Sequence, residues 1–89
     1  MQLIRVRHVE PLYDYVVRLE FSNGTYREVD LERYLHGPIF QPLREDAALF
    51  RAMHVEGGAV AWPNGADIDP DVLYHQLTPA WESVALPIA

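Results

Sequence analysis

Apolar and polar residues alternate along much of the first third of the chain. Leu3 to Val9 reads Leu-Ile-Arg-Val-Arg-His-Val, with Ile4, Val6 and His8 on one side and Arg5 and Arg7 on the other. That period of two predicts a strand with one wet face, ended by Pro11. Tyr15 to Phe21 alternates more cleanly, with Tyr15, Val17, Leu19 and Phe21 inward and Arg18 and Glu20 outward. Ser22-Asn23-Gly24-Thr25 follows, and Asn-Gly supplies residues tolerant of positive φ, so a hairpin returns through Thr25 to Val29. Two registers remain open. A two-residue loop pairs Phe21 with Tyr26 and Glu20 with Arg27, and sets Glu28 beside Leu19 on the buried face. A three-residue loop sets Thr25, Arg27 and Val29 against Phe21, Leu19 and Val17.

Punctuation then shortens the elements. Asp30 is suited to cap a short helix over Leu31 to Leu35, which His36-Gly37-Pro38 stops. Ile39, Phe40 and Leu43 are apolar anchors around Pro42, and Asp46 caps a second short helix reaching about Ala52, with Leu49 and Phe50 as its buried residues. Met53 to Glu56 and Ala59 to Trp62 form a second hairpin across Gly57-Gly58, and Pro63-Asn64-Gly65 turns the chain. Asp69 reads as an N-cap and Pro70 as the first residue of a helix that buries Val72, Leu73 and Leu77 and ends near Thr78-Pro79. The expectation is an α+β fold: a small antiparallel sheet of about five strands, with two or three short helices on one face. Residues 1–79 form the single domain. Residues 80–89, with Trp81, Val84, Leu86 and Ile88, are an apolar C-terminal tail that is either docked or disordered.

Composition removes whole classes of chemistry. The 89 residues contain no cysteine, so a disulfide framework, a thiolate zinc site and a cysteine nucleophile are excluded. No apolar run approaches the roughly 20 residues of a membrane helix. The start, Met1-Gln2-Leu3-Ile4-Arg5, lacks the basic and apolar regions of an export signal, so a cytoplasmic location and no membrane partner are expected. Charge is unevenly distributed. Residues 1–44 carry six arginines against six acids, whereas residues 45–89 carry Arg51 alone against seven acids, which gives the net charge of −6. An acidic chain repels phosphate backbones, so nucleic acid is not expected as a direct ligand, and a small basic protein suits it better. The plainer account is that the charge keeps a small domain in solution.

Candidate chemistry is sparse. Asp67-Ile68-Asp69-Pro70-Asp71 has the opening rhythm of a calcium loop, but Val72 and Thr78 stand where that loop needs Gly and an acid; a capped helix start explains the acids. His8, His36, His54 and His75 show no zinc-helix spacing, and Ser22 and Ser83 lack the context of an activated nucleophile, so no metal, cofactor or catalytic residue is expected. The segment Ala61 to Ile68 is the hardest to place by propensity. Trp62, Asn64 and Asp67, with Tyr74 on the following helix, could line a small-ligand pocket or a protein-binding edge. In structural terms Trp62 is a core plug and Asn64-Gly65 a turn. Trp81 is a further binding candidate, as an aromatic anchor if unpacked. Edge strands such as Leu3–Val9 could also pair two copies into a homodimer.

These anchors together form a recognisable string. Leu19-Glu20-Phe21-x-Asn23-Gly24 leads to Val29-Asp30-Leu31, then to Leu35-x-Gly37-Pro38-Ile39-Phe40 and Pro42-Leu43. Phe50 follows, and then Trp62-Pro63-Asn64-Gly65-Ala66-Asp67-Ile68-x-Pro70-x-x-Leu73-Tyr74. Over residues 3–77 the chain resembles the bacterial "domain of unknown function 2442" family, most specifically in the Trp-Pro-Asn-Gly-Ala-Asp stretch. The resemblance implies a compact α+β domain, found alone or ahead of a helix-turn-helix. It also implies a common genetic setting beside a second small protein, as in toxin–antitoxin pairs. It supplies no catalytic residue. With the sequence ending at Ala89, no helix-turn-helix is expected after Leu77. Two function classes follow: a non-enzymatic protein-binding module, antitoxin-like in a two-gene pair, or a small-ligand sensor with its pocket near Trp62 and Asp67.

Overall fold

The computed structural model describes residues 3–75. Its first part is an antiparallel meander of β1 (Val6–Tyr13), β2 (Val16–Phe21) and β3 (Tyr26–Asp30), in the order β1-β2-β3. β2 follows the alternation of its sequence, with Val17, Leu19 and Phe21 buried and Arg18 exposed. β1 departs from expectation in two ways. The register slips between Val6, opposite Phe21, and His8, opposite Glu20, so Arg7 is an extra residue. One extra residue reverses the facing of everything beyond it. Val6 therefore points inward and His8 outward, and Val9 takes the inner place opposite Leu19. Pro11 does not end the strand. It sits within β1, opposite Val17, where β1 forms the edge of its sheet and a missing N–H can be tolerated.

The hairpin takes the three-residue loop. Leu19 lies opposite Arg27 and Val17 opposite Val29, while the Phe21 N–H donates to the Thr25 carbonyl (2.8 Å). Gly24 supplies the left-handed residue that closes the loop, at φ +87°. This register buries Val29 and leaves Glu28 outside beside Arg18, at 3.5 Å; the two-residue alternative would have buried the carboxylate against Leu19.

The helical segments are short and capped by side chains. The Asp30 carboxylate accepts the Glu32 N–H at the start of a single 3-10 turn, Leu31–Tyr34. The anchors around Pro42 include a further short helix, α1 (Gln41–Glu45), with the proline in its first turn, where its N–H has no partner to lose. Of the three anchors around it, Leu43 is buried and Phe40 half-buried, whereas Ile39, 48% exposed, faces out. Helix α2 (Ala47–Arg51) begins at Asp46, whose carboxylate accepts the N–H groups of Ala48 and Leu49 at 3.0 and 3.2 Å. Asp46→Ala removes both acceptors and is expected to cost about 1 kcal/mol in chemical unfolding, with Asp46→Asn recovering most of it.

The remaining strands form a second sheet. β4 (His54–Glu56), β5 (Ala59–Ala61) and β6 (Asp67–Ile68) pair antiparallel in that order, so two three-stranded sheets replace the expected single sheet of five. β6 escaped sequence reading because two residues are too few to show a period. The sheets meet at Gly58, whose carbonyl accepts the Val6 N–H at 2.8 Å. Helix α3 begins as expected. Asp69 accepts the Asp71 N–H at 2.8 Å, Pro70 opens the described helix Pro70–His75, and Leu73 is buried. Leu77, Trp81 and the 80–89 segment lie outside the described residues. Both sheets and the helices share one apolar cluster, with Trp62, Phe21 and Phe50 as its largest fully buried side chains. Among the described residues, no helix is long and apolar enough to cross a membrane.

Candidate functional site

The residues singled out from sequence hold separate places in this frame. The Trp62 indole is 2% exposed; its N–H donates to the Phe50 carbonyl at 2.8 Å, and its ring packs near Phe40 and Phe50. Asn64 holds the turn that follows. Its carbonyl oxygen accepts the Ala66 N–H, and its amide donates to the Ile39 carbonyl at 2.9 Å, tying the turn to the segment before α1. Asp67 is exposed and borders a depression of about 350 Å³ shared with Arg5, Asp69 and Asp71. Tyr74 lies against the first hairpin, edge-on to Phe21 at 5.0 Å, with the Arg27 guanidinium 4.9 Å from its ring centre. The structure thus brings Trp62 and Asn64 together through one turn and sets Tyr74 against a different element.

The Tyr74 hydroxyl also accepts from the Asn23 side-chain amide at 3.1 Å. That bond above all, with Thr25 and Arg27 behind it, holds the phenol below its usual range. An acid whose folded-state value is lowered loses its proton before the unfolded chain does. Between the lowered value and the ordinary one of about 10, the unfolded state binds more protons, so stability rises with pH across that window. The contribution is lost as pH falls through the folded-state value. In a titration at 295 nm, the difference between wild type and Tyr74→Phe is expected to rise below the ordinary tyrosine range. Asn23→Ala is expected to move it upward.

A larger cleft lies elsewhere. It has a volume of about 780 Å³ and runs between the β1–β2 turn, the end of β3 and the pair α1–α2. Asp14 forms the turn in the left-handed region at φ +47°, a conformation that Asp tolerates better than most residues. Tyr13, beside it, is 59% exposed. Tyr15 forms a wall, edge-on to Phe50 at 5.2 Å, and its hydroxyl donates to the Arg44 carbonyl at 3.3 Å. Arg44 is occupied internally. One terminal nitrogen donates to the carbonyls of Glu32 and Leu35, and the other lies 3.5 Å from the Glu32 carboxylate. Glu45 accepts from the Gln41 amide at 2.7 Å. The side chains of Asp14 and Arg51 make no hydrogen bond or ion pair among the described residues.

Sequence reading passed over Tyr13, Asp14 and Arg51. The available signal was Tyr13-Asp14-Tyr15 itself, a turn-forming Asp between two strands, hidden once Pro11 was read as the end of β1. Among the described residues, no cluster of three or more His, Asp or Glu side chains is placed to hold a metal ion.

A protein-family model described as "Protein of unknown function (DUF2442)" matches residues 6–79. The chain belongs to this family. The match runs from the first residue of β1 past the end of described α3, so most of the walls of both clefts and the whole Trp-Pro-Asn-Gly turn fall within the DUF2442 region. No curated protein and no solved structure matches the chain. The DUF2442 description carries no activity, and function has to be argued from the side chains.

Proposed function

We propose that this DUF2442 chain is a non-enzymatic cytoplasmic module that binds a small basic protein, as the antitoxin-like half of a two-gene pair. One observation carries the reading: the 780 Å³ cleft is rimmed by Asp14, Asp30, Glu32 and Glu45 against Arg44 and Arg51, with an exposed tyrosine at its mouth. Such a surface does not supply a nucleophile with an orienting base. It does supply what a docking site uses: a negative field that steers a basic partner, and an aromatic ring that can be covered on contact. The chain's net charge of −6 acts in the same direction at long range. Overexpression of the neighbouring gene is expected to slow growth, and co-expression of this chain to restore it, with a stoichiometric complex in native mass spectrometry. Unchanged growth together with the chain eluting alone or as a homodimer sinks the proposal.

A second reading, a small-ligand sensor, draws on the depression beside Asp67. There Arg5 and three aspartates would make the polar contacts, because the Trp62 indole is enclosed by the core. Such a ligand raises the melting temperature by mass action. A flat response across a metabolite panel removes this reading.

A further inference from the structure

We infer that the cleft between the β1–β2 turn and α1–α2 is a receptor for one basic side chain, an ammonium or guanidinium on an aliphatic stem, presented by the partner; this rests on the protein-binding reading. Charge accounting within the cleft points to the class. Glu32 is matched by Arg44 at 3.5 Å. Among the described residues, Asp30 and Glu45 meet only neutral donors, the Glu32 N–H and the Gln41 amide, and have no cationic partner. Asp14 has no partner among the described residues. Among the described residues that line the cleft, Arg51 is the one cation left to oppose these three carboxylates. An anionic guest is therefore repelled, and a cation is favoured.

The walls narrow the class further. Tyr13 offers an exposed ring. Tyr15 is half-buried, with the Arg44 guanidinium 5.7 Å from its ring centre and the buried Phe50 edge-on to it, so the free aromatic face is that of Tyr13. Aromatic faces attract a cation within about 6 Å of their centroids, and they cover the methylenes of a lysine or arginine stem at the same time. A bare metal ion gains nothing from such walls.

Among the described residues, the other acidic surfaces lack this combination. On the outer face of the first sheet, Glu10 and Glu28 both pair with Arg18, at 3.4 and 3.5 Å, and Glu20 pairs with Arg7 at 3.9 Å. The described residues lining the depression at the Asp67–Asp71 strip include no aromatic ring, and Asp69 is engaged as a helix cap.

The probes are N-acetyl-arginine amide and N-acetyl-lysine amide, with N-acetyl-glutamine amide as the uncharged control, titrated into the isotope-labelled full chain by heteronuclear NMR at low salt. Saturable shifts are expected for both cationic probes at Asp14, Glu45 and Ala47, weakening as salt is added. Stronger binding of one probe identifies the preferred head group. Asp14→Asn, which keeps a residue tolerant of the left-handed region, and Glu45→Gln are each expected to weaken binding between roughly two- and fivefold. Arg51→Gln strengthens it by a similar factor, and Asp71→Asn leaves it unchanged. Equal shifts with the glutamine probe, an equal loss from Asp71→Asn, or no saturable shift overturns the inference. The parent reading fails separately. A co-purified basic partner that is held equally well by the Asp14→Asn/Glu45→Gln double variant removes the cleft assignment and leaves the protein-binding module standing. Saturable probe binding with no partner upholds the cleft and removes the module.

Discussion

Trp62→Ala is expected to lower the melting temperature of the domain by about 20 °C or to abolish its cooperative transition. Truncating a buried Trp to Ala costs about 3–5 kcal/mol from lost burial and the cavity left behind. Two local features place this site at the upper end. The indole N–H donates to the Phe50 carbonyl at the C-terminal end of α2, where carbonyls have no helical partner. Removing the donor strands that buried acceptor, which adds about 1–3 kcal/mol. A chain of this length has a total stability of roughly 5–10 kcal/mol, so one substitution consumes a large share of it. Each kcal/mol moves the midpoint by about 4–8 °C in a domain of this size. Trp62→Phe separates the contributions, since it keeps most of the ring but loses the donor. Thermal unfolding followed by far-ultraviolet circular dichroism decides the matter. A shift under 5 °C for Trp62→Ala would mean that the core closes without the indole.

The same residue marks the limit of what sequence pattern conveys. Alternation placed β2 to within a residue, and the Asn23-Gly24 and Gly57-Gly58 turns placed β3, β4 and β5 as closely. The caps Asp30, Asp46 and Asp69 were legible for an equally local reason: each carboxylate bonds an N–H two or three residues ahead. Features set by a partner strand were not legible. Nothing in Leu-Ile-Arg-Val-Arg-His-Val says that Arg7 is skipped in the pairing, and that one bulge exchanges the facings of His8 and Val9. β6 exists because Val60 and Ala61 offer an edge to Ile68 and Asp67, a long-range cause with almost no local trace.

The cleft was harder still to foresee. Its residues come from three separated stretches, 13–16, 30–32 and 43–51, and none of them forms a motif along the chain. What distinguishes them is which charges the fold leaves unmatched. The Trp-Pro-Asn-Gly-Ala-Asp stretch, by contrast, is prominent in sequence. In the structure Trp62 and Asn64 join β5 and β6 to α2 and to the segment before α1. Trp62 and Asn64 thus tie down elements that form the cleft without lining it themselves.

Gly58 is where the two sheets touch, and Gly58→Asn is expected to cost about 2 kcal/mol or more while Gly57→Asn costs under about 1 kcal/mol. Both glycines have positive φ, +60° at Gly57 and +83° at Gly58, and Asn is among the residues that accept such backbone most readily. The backbone penalty is therefore similar in the two variants. The surroundings differ. A Cβ at Gly57 meets nothing within 4 Å, whereas one at Gly58 falls 2.9 Å from both Cβ and Cγ of Arg5. Those atoms cannot swing aside, because the Arg5 backbone N–H donates to the Ser22 hydroxyl and its guanidinium donates to the Gly57 carbonyl. The next residue, Val6, gives its N–H to Gly58 itself. Relief of the clash must separate β1 from the β4–β5 turn, so the loss appears as weakened contact between the sheets. Hydrogen exchange should report it first at the Val6 amide. An Arg5→Gly background, which removes the offending side chain, is expected to bring the two asparagine variants together, as a coupling energy between neighbours requires. Equal losses at Gly57 and Gly58 in the parent chain would assign the whole cost to backbone conformation and none to the joint.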